Sequence, residues 1–111
     1  LKDNMGNKGD KLSNKSTLVA SALVEKLTPI GDISSKRMFG GHGIFYTGKM
    51  FAMVDSKGQV FLKTDDTIKH YFEEINASRH NRMPYYLLPN GVIDNSEKLI
   101  IWAKRSISIL K

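Results

Sequence analysis

The sequence predicts an α+β domain: a two-layer sandwich in which an antiparallel meander sheet carries its helices on one face. Three observations lead there. Stretches with apolar residues at helical spacing open and close the chain. Between them lies a run of short apolar segments separated by tight-turn signals. At 111 residues the chain is long enough for one domain and too short for two.

The elements follow in order. Residues 1–12 are polar, rich in Gly and Asn and without periodicity, and read as a flexible tail ahead of a domain over residues 13–111. Ser13 or Ser16 caps a first helix whose apolar positions are Leu18, Val19, Ala22, Leu23 and Leu27, ended by Pro29 and Gly31. Strands are expected over Lys36–Phe39, Gly43–Tyr46, Met50–Val54 and Val60–Lys63. Thr47-Gly48 and Asp55-Ser56-Lys57-Gly58 serve as hairpin turns. Asp65 or Asp66 starts a second helix with a stripe of Ile68, Tyr71, Phe72 and Ile75. A polar, basic loop over residues 76–82 leads into a strand at Met83–Leu88, where Pro84 favours an edge or a strand start. Asp94-Asn95-Ser96-Glu97 offers a capping box for the last helix, which buries Leu99, Trp102, Ala103, Ile107 and Leu110. The order is α-β-β-β-(β)-α-β-α.

Alternation along Val60–Lys63 puts Val60 and Leu62 on one face and Phe61 with Lys63 on the other. If Phe61 is joined there by Phe45 or Phe51 and by Tyr85 or Tyr86, the face away from the helices is apolar. Such a face marks an interface, with a partner protein or with a second copy in a homodimer.

Composition narrows the function. The chain is 41% hydrophobic and 25% charged, ordinary for a globular domain. It has no cysteine, which excludes a disulfide framework, a thiolate nucleophile and a cysteine zinc site. No apolar run is long enough for a membrane helix and no secretory signal is visible, so no membrane role is expected and the cytoplasm is the default location. The chain opens on Leu1 and not on Met, which reads as a trimmed chain or fragment.

No catalytic machinery is expected. His42, His70 and His80 are the three histidines. His70 has Glu73 and Glu74 one turn on, a pairing that fits a solvated helix face better than a metal site, since it supplies too few ligands. Gly40-Gly41-His42-Gly43 has the bare backbone of a phosphate loop, but it runs strand to strand and lacks the Gly-Lys-Ser/Thr ending. A bend or bulge is the better reading. No metal or cofactor is expected. The net charge of +6 keeps a small domain soluble and also draws it to polyanions. Lys36, Arg37, Arg79 and Arg82, with Tyr85 and Tyr86 near the last two, form the candidate basic contact surface for nucleic acid. A small-ligand site near His70 or the glycine hairpin is a further alternative. Arg37 is read first as a buried arginine paired with a carboxylate, and second as the centre of a contact surface.

The run Arg37-Met38-Phe39-Gly40-Gly41-His42-Gly43-Ile44-Phe45 resembles the opening signature of the TfoX (Sxy) N-terminal domain family. Met50-Phe51-Ala52-Met53-Val54, Phe61-Leu62-Lys63-Thr64-Asp65, Met83-Pro84-Tyr85-Tyr86 with Pro89, and Trp102-Ala103 continue the resemblance in order over about residues 17–110. The resemblance implies a fold similar to the type III secretion chaperones and a non-enzymatic role. It implies regulation of competence for DNA uptake, as a transcriptional coactivator beside a protein partner, the cyclic-AMP receptor protein. Full-length regulators of the family add a C-terminal helical domain, and this chain ends at Lys111. It is either cut there or a stand-alone member.

Overall fold

Five strands pair in sequence order in a computed structural model that describes residues 8–38 and 40–111. Strands β1 (Ile33–Met38), β2 (Gly41–Tyr46), β3 (Lys49–Val54), β4 (Val60–Lys63) and β5 (Tyr85–Leu87) make one antiparallel sheet. Helix α1 (Lys8–Leu27) precedes it and closes in a 3-10 turn at Thr28–Ile30. Helix α2 (Lys69–Glu73) bridges β4 and β5, and α3 (Asn90–Ile93) and α4 (Ser96–Ser108) follow. The expected α+β meander is the fold, with the short α3 added.

The turns set the meander. Thr47 and Gly48 both have positive φ, at 47° and 86°, the geometry of a two-residue turn whose twist matches the strands it joins. In the next hairpin the Asp55 carboxylate accepts the Lys57 and Gln59 amides, which fixes the four-residue loop. Asn95 caps α4 by accepting the Lys98 amide.

One core fills the space between sheet and helices. Ala20, Leu23 and Leu27 of α1, Phe72 of α2, Val92 of α3 and Leu99 and Ala103 of α4 pack on Ile44, Phe51, Ala52, Val54, Val60 and Leu62. A ring cluster ties the layers: Phe72 meets Trp102 edge-on at 4.9 Å and Tyr86 at 5.6 Å, and the Arg105 guanidinium lies 3.8 Å from the Tyr71 ring centre. Two buried serines pin the long helices to the sheet. Ser106 donates to the Lys63 carbonyl at 2.8 Å, and the Ser16 hydroxyl lies 3.1 Å from Nδ1 of His42.

Several elements differ from expectation. Helix α1 starts at Lys8, inside the segment read as tail, so Ser13 and Ser16 are helix-interior positions and not caps. Residues 1–7 and Phe39 lie outside the described residues. Leu18 and Ile75 are exposed, because the core-facing stripe of α1 runs Ser16-Ala20-Leu23-Leu27 and α2 ends at Glu73. Phe51 stands on the helix side. The β2–β3 register shifts between Ile44 and Phe45, so Ile44 pairs with Ala52 and Phe45 with Met50, leaving Phe51 as the extra residue of a bulge. The bulge returns Phe51 to the core beside Ala52, where it is fully buried.

The glycine hairpin brings backbones closer than side chains allow. A Cβ on Gly41 would lie 2.0 Å from the Val54 carbonyl oxygen. The nearest atoms to a Cβ on Gly43 would be side-chain atoms, the thioether sulfurs of Met50 at 2.8 Å and Met38 at 3.1 Å and the Phe45 ring at 3.1 Å. Gly41→Ala is therefore expected to cost about 3 kcal/mol or more, and Gly43→Ala under about 1.5 kcal/mol, because methionines yield and a strand backbone does not. Urea unfolding of the two variants checks this; equal losses would contradict it.

Candidate functional site

The sheet is covered on one face only by helices. Its other face carries Lys36 and Met38 of β1, Gly43 and Phe45 of β2, Met50 and Met53 of β3, Phe61 and Lys63 of β4, and Tyr85 of β5, as the cross-strand partners dictate. Phe61, Phe45 and Tyr85 gather there as the alternation predicts, while Phe51 and Tyr86 belong to the helix side.

Half of this face has a lid that the sequence did not announce. The segment after α2 turns back on β5: the Leu87 amide donates to Ser78, the His80 amide donates to Tyr85, and Arg79 bridges Tyr86. Left-handed Asn76 and Asn81 make the reversals. The His80 ring then stands edge-on over Phe61 at 4.8 Å, and Phe61 and Tyr85 become buried. Burial pushes the Tyr85 phenol above its ordinary value.

The other half stays open. Here a cavity of about 310 Å³ is lined by Met38, Met50, Met53 and Met83 together with His42 and His80. β1, β2 and β3 present the first three methionines and His42, and the returning loop brings His80 and Met83. Nδ1 of His80 is buried and has no hydrogen-bond partner among the described residues. His42 pairs across strands with Arg37. Partial burial, and then the positive charge of Arg37, hold its imidazole below the usual histidine range. Neutral His42 suits the contact with Ser16, whose hydroxyl can donate to an unprotonated Nδ1.

Each signature residue now has a place. Gly40 turns the chain between β1 and β2 with φ 76°. Gly41 permits the approach to Val54, and Gly43 lies beneath the Met38 and Met50 sulfurs. Pro84 offers its carbonyl to the Thr64 amide at 2.7 Å, tying the start of β5 to the end of β4. Tyr85 faces the lid and Tyr86 the core.

The four basic residues do not share one role. Lys36 lies on the open face of edge strand β1. Arg37 lies on the helix side and is exposed, not buried, on the edge strand of the sheet. Arg79 donates to the Met83 and Arg82 carbonyls at 3.1 and 3.0 Å, which shapes its own loop. Arg82 is exposed. His70 is exposed and lies 4.1 Å from the Tyr71 ring. Among the described residues, no three of His, Asp and Glu are grouped to hold a metal, and no helix is long and apolar enough to cross a membrane. The methionines are what residue-by-residue reasoning missed. Strict alternation would put Met50 and Met53 on opposite faces, and the bulge that brings them to one face has no signal in the sequence.

An α+β meander with one helix-covered and one open face is the class of domain these features define. Residues 25–109 match the TfoX N-terminal domain, and the chain belongs to that family. A comparison with curated proteins finds no match.

The lowered pKa of His42 makes stability depend on pH with a definite sign. As the pH falls through 6.5, the unfolded chain takes up this proton before the folded one. The contribution of His42 is thus complete above pH 6.5 and is lost as pH falls through the lower folded value. The urea midpoint should drop between pH 7.5 and pH 5, and His42→Gln should flatten that drop. In Arg37→Gln the His42 pKa, followed by NMR, should rise. An unchanged value would show that the charge of Arg37 is not felt there.

Proposed function

We propose that this domain is a non-enzymatic regulatory module that works in transcription through a protein partner, in the competence-related role its family suggests. The observation that carries the reading is the one-sided sheet. Helices cover one face, and the other presents Met38, Phe45, Met50 and Met53, part-exposed and on adjacent strands. Unbranched thioether side chains repack against different surfaces at little cost, which suits a docking face. The family supports a regulatory role. A partner of the cyclic-AMP receptor type follows from the resemblance of the signatures, and a homodimer through the same face is the other occupant. A transcriptional role is a cytoplasmic one.

Direct nucleic-acid contact is the competing reading, and it rests on the +6 charge with Lys36 and Arg82. Arg79 contributes less to it than its position in the chain suggests, since two donors of its guanidinium are turned to carbonyls of its own loop.

Titration of the purified cyclic-AMP receptor protein against the chain separates the readings. Phe45→Glu and Met53→Glu should weaken the complex at least tenfold with circular dichroism unchanged, and the pair Lys36→Ala/Arg82→Ala should leave it within about threefold. Saturable DNA binding with a steep salt dependence, lost in the Lys36/Arg82 variant and indifferent to Phe45→Glu, would favour the competing reading.

A further inference from the structure

The sequence has five methionines, and four of them, Met38, Met50, Met53 and Met83, line one cavity. They come from three separate elements: β1, β3 and the loop before β5. The sulfurs of Met38 and Met50 are directed to the same point. They lie 3.1 and 2.8 Å from where a Gly43 Cβ would stand, over backbone that carries no side chain.

Methionine is a good gap filler, and packing alone explains a buried one. It does not explain these four, which are half-buried or exposed at an open cavity. Nor does it explain His80. An imidazole nitrogen buried without a partner is costly, and here it belongs to a residue lining the same cavity. Some of the other polar atoms at the cavity are already engaged. Asp55 Oδ1 accepts two amides of its own loop, and His42 Nδ1 is matched by Ser16. The soft donors left over are the four thioethers, with the unpartnered imidazole nitrogen of His80, while Asp55 and Ser56 add hard oxygens to the lining.

That donor set is chemically selective. Thioethers are soft, uncharged ligands that favour copper(I) over zinc, magnesium or calcium, and neutral imidazole is compatible with the same ion. A monovalent ion also brings the least charge into an apolar cavity. We infer that the cavity between the glycine hairpin and the returning loop is a binding site for a soft monovalent cation, copper(I), its ligands drawn from Met38, Met50, Met53, Met83 and Nδ1 of His80. The loop that carries His80 and Met83 would then be fastened to the sheet by the ion. This inference rests on the donor set and is independent of the docking role proposed for the same face.

The test is anaerobic competition for copper(I) against a chromophoric copper(I) chelator. The chain should withdraw one equivalent. Met5→Leu should bind equally well, because Met5 is not in the donor set. Met50→Leu/Met53→Leu keeps the apolar volume and should bind at least tenfold more weakly. Should that variant fail to fold, Met83→Leu on the exposed loop and His80→Gln give the same reading, each with at least a threefold loss. With silver(I) as a closed-shell probe, the methyl resonances of Met38, Met50, Met53 and Met83 should shift together. No withdrawal of copper(I), binding that survives these substitutions, or binding that disappears in Met5→Leu would each overturn the site.

Discussion

The close approach of β2 to the end of β3 is the constraint on which the rest of the structure depends. At Gly41 no room exists for a Cβ against the Val54 carbonyl. That contact brings the start of β2 hard against β3. Two residues later, on the same face of β2, Gly43 leaves a bare patch that the thioethers of Met38 and Met50 occupy. A single short segment therefore does two things: Gly41 lets two backbones approach closely, and Gly43 leaves a shallow floor on the open face.

The second device is the bulge at Phe51. Without it, strict alternation would place Phe51 on the open face and Met50 in the core. The extra residue reverses this, burying the larger aromatic and freeing the thioether. Burial of a phenylalanine stabilises by roughly 2–3 kcal/mol, enough to drive a local break in the ladder. The two buried serines then fix the helices over the sheet. Ser16 meets a histidine whose neutral form is favoured first by partial burial and then by the charge of Arg37, so an exposed arginine on an edge strand adds to a contact between layers.

The fold was largely legible because its cues are local. Thr47-Gly48, Asp55 with Gly58, and the Asn95 cap act within a few residues of themselves, and the expected strand Val60–Lys63 has the observed bounds. The start of α1 was not legible, because residues 8–12 hold one large apolar residue, Leu12, and so give no apolar period to read. Leu18 reads as core in the sequence yet is exposed, because several registers of one apolar helix look alike and the true stripe includes a serine. The open face was half legible. Phe61, Phe45 and Tyr85 follow from alternation, but its lid depends on pairing between residues 78–80 and 85–87, in a segment that reads as a polar loop. The methionine cluster needs both the bulge and that lid, so no linear pattern announces it. The two signatures mark its borders, since Met38 and Gly43 belong to the first and Met83 to the second.

The central claim is that this sheet has one closed face and one methionine-rich open face bounded by the glycine hairpin. Methyl NMR with a soluble paramagnetic probe tests it most directly. The ε-methyl signals of Met38, Met50, Met53 and Met83 should broaden well before the methyls of Ile44, Leu62 and Leu99. Protection of the methionine methyls equal to that of those core residues would contradict the account.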